Sequence, residues 1–320
     1  MSTSRPDPGT IADAQPMNWV DSHAPGVLKP YFRLARYDRP IGTWLLLLPC
    51  WFGLALAQVD STATDLHLGS YILFALGAIA MRGAGCTWND IVDRKYDGRV
   101  ERSALRPIPS GQVSVRQAVA FGLLQSIVGF LVLVQFNTFT IWLGISSLAL
   151  VAVYPFAKRF TYWPQFVLGM TFNWGVLVGW SSLKGTLASD GLVAAAPLLL
   201  YVGAIAWTIG YDTIYAHQDK EDDALLGLKS TALRFGAHTP RWLTGFYGAT
   251  ISLWLAAAYA AGAGHFTYIA LGLIAAHFVW QIASLKIDHS GNCLARFKSN
   301  RDVGLLLCIG LLLDAPISWS

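Results

Sequence analysis

The 320-residue chain reads as an all-α polytopic membrane protein, and three observations lead there. Hydrophobic residues make up 54% of it and charged residues only 13%, where an ordinary soluble domain carries about 25% charge. Apolar stretches of about 20 residues, enough to cross about 30 Å of hydrocarbon, recur along its length. Positive charge falls in one alternating set of the loops between them. Such a composition excludes a disordered chain, a nucleic-acid binder with a basic face and most soluble enzymes. The 13 tryptophans and 12 tyrosines suit rings placed at two membrane interfaces. Cys50, Cys86, Cys293 and Cys308 form no CxxC pair and lie in or beside apolar runs, which argues against a disulfide framework or a zinc site.

Taken in order, residues 1–27 are expected to be a flexible tail rich in Ser, Pro, Asp and Gly, and 28–319 a single membrane domain. Residues 28–40 (LKPYFRLARYDRP) mix aromatics with arginines and read as an interfacial lead-in. Nine spans follow, at 41–59, 68–86, 117–135, 138–156, 165–183, 192–211, 242–262, 265–285 and 302–319. Pro49, Gly169 and Gly175 lie inside spans, where membrane helices tolerate them. Spans one to four resemble spans five to eight in plan, with the ninth added, which suggests a weak duplication.

Of the 23 Lys and Arg, all but Lys184 lie on the loops of one side. The positive-inside rule then places the N-terminus and the long loops in the cytoplasm and the C-terminus outside. The first 40 residues hold no apolar signal core, and Asp7, Asp13 and Asp21 argue against a mitochondrial transit peptide. The expected location is a bacterial inner membrane, with the C-terminus periplasmic.

Only 19 acids occur, so their placement is informative. The second span runs out through Asn89-Asp90-Ile91-Val92-Asp93-Arg94-Lys95-Tyr96-Asp97. A continuing helix presents Asn89, Asp93 and Asp97 on one face, at i, i+4 and i+8, with Asp90 at i, i+3, i+7 to Asp93 and Asp97. The sixth span runs out through Asp212 to Asp219, Lys220, Glu221, Asp222 and Asp223. Asp212, Asp219 and Asp223 fall at i, i+7 and i+11 of a helix that continues. Both clusters follow even-numbered spans, and repeats of this kind place a site at their interface. Carboxylates gathered at about 4 Å repel by roughly 4 kcal/mol per pair at an effective dielectric of about 20, so they need cations. Oxygen ligands with one or two carboxylates per ion suit Mg²⁺, which commonly bridges to substrate phosphates. Ordinary solvated loop acids are the plainer account, weakened here by two clusters in register after matched spans.

Among the basic residues, Arg82 lies inside the second span on the face of Asn89, and an arginine so placed is functional by default unless it snorkels to the interface. Lys158 and Arg159 close the fourth span after Tyr154-Pro155-Phe156, in a loop short enough to lie near the helix ends and grip a polyanion. Arg36, Arg39 and Arg82 are equal candidates for holding a substrate carboxylate.

These residues carry a resemblance. The segment MRGAGCTWNDIVDRKYDGRVERSALRPIPSG closely resembles the first aspartate-rich motif of the UbiA family of intramembrane aromatic prenyltransferases. YDTIYAHQDKEDDALLGLKSTALRFG resembles the second motif in its 4-hydroxybenzoate-specific form, and RYDRPIGTWLLLLPC and YPFAKRFTYWPQFVLG add two more matches. The resemblance covers about residues 30–319. It implies nine transmembrane helices around a central cavity capped by Asp-rich cytoplasmic loops. It also implies transfer of a polyprenyl group from its diphosphate to the ring carbon ortho to the hydroxyl of 4-hydroxybenzoate, in ubiquinone biosynthesis.

Residue by residue, the resemblance assigns metal and diphosphate binding to Asn89, Asp93 and Asp97, with Asp219 and Asp223 from the second motif, and a catalytic role to Arg159. Asp90, Arg82, Lys158, Asp212, Tyr154 and Arg39 are the further substrate-binding candidates. Tyr154, Trp174 and Tyr211 could flank an allylic cation, although aromatics at helical spacing are more often packing. The expected cofactor is Mg²⁺, the expected partners are the two substrates and the bilayer, and neither nucleic acid nor an obligate protein partner is indicated. A naphthoate, homogentisate or haem acceptor is the nearest alternative. A transporter, whose acids would lie near the midplane, is a more distant one. No DGxxAR pattern of alcohol phosphotransferases and no HExxH occurs, and His277 inside the eighth span reads as hydrogen-bonded packing.

Overall fold

A computed structural model describes residues 18–61, 65–98, 101–189 and 192–316. The tail expectation for residues 1–17, and the end of the ninth predicted span at 317–319, lie outside the described residues. Among the described residues nine helices reach 15 residues or more: α1 Ile41–Val59, α2 Leu68–Asp97, α3 Val115–Leu133, α4 Thr138–Val153, α5 Pro164–Lys184, α6 Ala195–Ala216, α7 Thr239–Ala260, α8 His265–Ala283 and α9 Asn300–Asp314. Each overlaps one predicted span. Seven are long and apolar enough to cross a membrane by length and composition, α4 only when taken on through the helical turns to Phe160; α7 and α9 do not meet that measure. The expected start of the sixth span at 192 is corrected: Leu192–Val193 pair antiparallel with Ala188–Ser189, and α6 begins three residues later.

The boundaries follow local chemistry. Pro164 opens α5, where its missing N–H costs nothing and its fixed φ suits a first helical turn. Gly185 closes the same helix at φ +69, a left-handed conformation glycine adopts without strain. Asn137 caps α4 by accepting from Thr140 N–H at 3.0 Å.

The helices fall into two compact units, one from the chain up to Thr43 with Leu76–Val132, the other from Trp44–Ala75 with the chain from Leu133 onward. In the first, the lead-in at 28–40 holds the short helix Lys29–Leu34, and another short helix, Trp19–His23, precedes it within the residues expected as tail. Arg33 ties them together through Asp21 at 2.8 Å. Leu34 packs with Val113 and Ala118, with Ile91 and Phe121 against them, so the lead-in is part of this unit's core.

The second unit relies on small residues, because lipid tails are as apolar as leucine and helices in a bilayer gain by close approach and hydrogen bonding instead. A Cβ on Gly53 would strike the backbone of Val176, and one on Gly179 the backbone of Cys50 and Leu54, so α1 and α5 cross with their main chains nearly touching. Phe52, Trp207 and Trp254 pack as a buried aromatic trio with ring centroids 5.6–6.4 Å apart. Trp207 Nε1 donates to Asn300 Oδ1 at 2.7 Å, which fixes the start of α9. His277 is bonded to Ser299 Oγ at 3.1 Å, a packing role.

Candidate active site

The first acid segment is one unbroken helix. α2 runs for 30 residues through Gly83 and Gly85 to Asp97, so Asn89, Asp93 and Asp97 recur on neighbouring turns, as a helical period requires. Asn89 is half-buried and Asp93 and Asp97 are buried. Arg82, on the same helix, lays its guanidinium over Gly42, where a Cβ would collide with it. Gly42, which sequence reasoning quoted within RYDRPIGTW without giving it a role, thus lies directly under that guanidinium. Arg39 lies within 3.4 Å of Asp38.

Two arginines arrange Asp90 and Asp97 of this segment. Arg106 Nη1 donates to Asp97 Oδ2 at 2.7 Å and stands 3.6 Å from Asp90 Oδ1. Arg36 Nη2 donates to Asp90 Oδ1 at 2.7 Å. Burial lowers the Arg36 pKa, but Asp90, with Cys86 and Asp38, together outweigh it and hold the guanidinium charged, above its usual value. Asp90 has no exposed surface, and its Oδ2 has no hydrogen-bond partner.

The second acid segment departs from expectation. Asp212, Asp219 and Asp223 were expected along one continuing helix; α6 instead stops at Ala216. Its last turn tightens through bonds from His217, Gln218 and Asp219 N–H to carbonyls three residues back. Asp219 then starts the short helix Lys220–Leu225, with Asp223 N–H donating to Asp219 C=O at 2.8 Å. Asp219 and Asp223 therefore lie one turn apart, and Asp212 belongs to a different helix. A tertiary contact lies at the break: the buried His217 ring is bonded through Nε2 to Thr239 Oγ1 at 2.9 Å. That hydroxyl already gives its hydrogen to Gly236 C=O at 2.8 Å. Nε2 must then carry the proton, and Nδ1, which has no partner, is an unprotonated acceptor. Burial, then Lys220, pulls the His217 pKa down to about 4, so the ring is neutral at pH 7.

The basic turn of the fourth helix is bonded to the chain that follows this second segment. Tyr154–Phe156 form a 3-10 turn after α4, leading to Ala157–Phe160. Arg159 Cζ sits 5.0 Å from the Phe156 ring, and Tyr154, Lys158 and Arg159 are half-buried. Lys229 N–H donates to Lys158 C=O at 2.8 Å. Thr231 N–H donates to Gln165 Oε1 at 3.1 Å, and the Thr231 and Thr213 hydroxyls meet at 2.6 Å. Thr213 spends its hydrogen on Ile209 C=O, so Thr231 donates to Thr213.

Trp174 and Tyr211 have packing partners. Trp174 Nε1 donates to Leu143 C=O at 2.9 Å, and the Tyr211 ring lies edge-on to Trp207 at 5.1 Å. Sequence reasoning missed Asn173, buried in α5, whose amide nitrogen reaches Gly169 C=O, Ala204 C=O and Thr208 Oγ1. Among the described residues no three His, Cys, Asp or Glu side chains converge as a metal cage. Mg²⁺ rarely takes a dedicated protein cage and is held by one or two carboxylates, waters and substrate phosphates. Paired carboxylates one turn apart, with only oxygen donors, fit such an ion.

The model of the UbiA prenyltransferase family matches residues 46–305. A Caenorhabditis elegans protein named 4-hydroxybenzoate polyprenyltransferase, mitochondrial, is 44% identical over 306 residues, 93% of this chain and 83% of its own. The human protein of that name is 48% identical over 294 residues, 92% of this chain and 77% of its own. The apo structure of a UbiA homologue from Aeropyrum pernix superposes with a TM-score of 0.72 at 26% identity, covering 85% of this chain and 97% of that one. An Archaeoglobus fulgidus UbiA homologue solved with GPP and Mg²⁺ shares the fold at TM-score 0.63 and 19% identity, covering 89% and 99%.

These relatives also correct the expected bacterial inner membrane, since they are named as mitochondrial proteins of eukaryotes. Asymmetry of Lys and Arg decides which loops share a side of a membrane and carries no information about whose membrane it is. With four-fifths of its length matched by the family model and relatives at 44–50% identity, the chain belongs to the UbiA prenyltransferase family.

Proposed function

We propose that this chain transfers a polyprenyl group from a polyprenyl diphosphate to the ring carbon ortho to the hydroxyl of 4-hydroxybenzoate, releasing diphosphate, as a step of ubiquinone biosynthesis. The observation that carries the transfer chemistry is the unbroken α2, which presents Asn89, Asp93 and Asp97 on successive turns. The acceptor is suggested by the names of the relatives at 44–50% identity.

Asn89, Asp93 and Asp97, with Asp219 and Asp223, hold the diphosphate through divalent metal. Bound Mg²⁺ supplies Lewis acidity to the diphosphate as it departs. Arg159 and Lys158 add fixed positive charge for the oxygens on which negative charge builds, which is worth most in a dry site. The C–O bond to the diphosphate breaks, a C–C bond forms at the ring carbon, and that carbon loses its proton to restore the aromatic ring. Exclusion of water by the membrane-embedded chain protects the allylic cation until the ring attacks. Tyr154 and Asp212 line the reacting groups. Arg36, Arg39 and Arg82 are the cations proposed for the acceptor carboxylate; Arg36 also pairs with Asp90 at 2.7 Å and Arg39 with Asp38 at 3.4 Å.

The experiment is an assay of purified chain in lipid with 4-hydroxybenzoate, a polyprenyl diphosphate and Mg²⁺, read by product mass. The expected product is the ortho-prenylated acid. Product from a naphthoate or homogentisate offered in parallel, with none from 4-hydroxybenzoate, would overturn the acceptor.

A further inference from the structure

We propose that Asp90 is a positioning residue that acts on Asp97 through Arg106. The inference rests on the metal role just given to Asp97 and deepens that reading.

Asp90 and Asp97 are seven residues apart on α2, two turns along one side of the helix. A single guanidinium nitrogen, Arg106 Nη1, lies 2.7 Å from Asp97 Oδ2 and 3.6 Å from Asp90 Oδ1. The shorter contact is a hydrogen bond and the longer one is charge attraction without one. Arg106 therefore holds one oxygen of Asp97, Oδ2, while Asp90 attracts the same guanidinium from two turns earlier on the helix.

Asp90 has a second cation to itself. Arg36 reaches it across 54 residues of sequence from the lead-in, with its own backbone at φ +62, a left-handed conformation uncommon for a residue with a β-carbon. Arg36 also donates to Arg33 C=O at 3.1 Å, so the guanidinium is anchored from both sides. Both arginines approach the same Asp90 oxygen, Oδ1, so that side of the carboxylate is committed to holding the two guanidinium groups. Asp97 has one such partner among the described ion pairs, and its Oδ1 is not engaged in one. Asp90 is thus the post to which the lead-in and Arg106 are tied.

The test measures Mn²⁺ affinity by electron paramagnetic resonance on purified protein, with Mg²⁺-dependent KM and kcat alongside. Asp90→Asn is expected to weaken Mn²⁺ about tenfold, as loss of an outer partner of a ligand does, with kcat at saturating Mg²⁺ nearly kept. In an Arg106→Gln background the Asp90 substitution should have no further effect on affinity, since its route is gone. Asp90→Asn combined with Arg36→Gln removes both buried charges and gives a folded variant should the single change misfold. Three results overturn the proposal: Asp90→Asn losing Mn²⁺ binding as completely as Asp93→Asn, its effect persisting without Arg106, or an unchanged Mn²⁺ affinity accompanied only by a lower Tm. Absence of Mn²⁺ binding by the parent chain would instead overturn the metal reading itself.

Discussion

Lys229 donates its backbone N–H to the carbonyl of Lys158 at 2.8 Å, which joins the basic turn after α4 to the chain leaving the second acid segment. The bond is made by main-chain atoms, so the side chains of Lys158 and Arg159 are not consumed by it. What holds the two stretches in register is the row of buried groups beside it, from Gln165 through Thr231 to Thr213.

Replacing Thr231 by valine tests that row. The isosteric change keeps the volume and removes the hydrogen that Thr231 gives to Thr213. A lost buried hydrogen bond costs about 1 kcal/mol, expected as a small drop in Tm. If Arg159 serves the diphosphate, KM for the polyprenyl diphosphate should rise severalfold while KM for 4-hydroxybenzoate holds. Equal change in both would detach this row from the diphosphate.

Asp93→Ala and Asp219→Ala should each abolish turnover in protein that still folds, because each removes a proposed metal ligand. Chelation of divalent metal should do the same to the parent chain, and added Mg²⁺ should restore it. Product release is the measurement, with Tm as the check on folding. Full turnover by either variant removes that residue from the ligand set.

The unequal legibility of the two acid segments has a physical reason. α2 could be read through to Asp97 because nothing between Leu68 and Asp97 stops a helix, and helical spacing then sets the face of Asn89, Asp93 and Asp97. The stop at Ala216 carries no proline or glycine. It coincides with a bond between His217 and Thr239, 22 residues away, which periodicity cannot reveal. Arg36 was one of three equal cations in sequence because its positive φ and its reach to Asp90 are properties of the folded chain. The order of spans was legible from hydropathy and charge, whereas the host membrane was not, since the same asymmetry serves any membrane with a potential.

Arg36 and Arg82 should therefore separate on mutation. Arg36→Ala leaves Asp90 buried with Arg106 at 3.6 Å as its remaining described ion pair, and stranding a buried charge costs about 3 kcal/mol or more. The expected outcome is a large fall in Tm. Arg82→Ala should raise KM for 4-hydroxybenzoate in its folded fraction, if that arginine holds the acceptor. Titration of 4-hydroxybenzoate against both variants, normalised to folded protein, distinguishes them.

Two glycines give the sharpest contrast between a site effect and a packing effect. A Cβ on Gly42 meets only the far end of the Arg82 side chain, which can swing aside. Gly42→Ala should therefore fold with little loss of Tm while displacing the guanidinium, and so reproduce the KM defect of Arg82→Ala. A Cβ on Gly179 meets the carbonyl of Cys50 and the backbone of Leu54, which cannot move without separating α1 from α5. Gly179→Ala should cost about 3 kcal/mol, the upper range for overpacking, and its folded fraction should bind both substrates normally. Thermal melts beside KM for each substrate decide the matter: a Gly42→Ala protein with unaltered KM would detach Arg82 from the acceptor, whatever happens at Gly179.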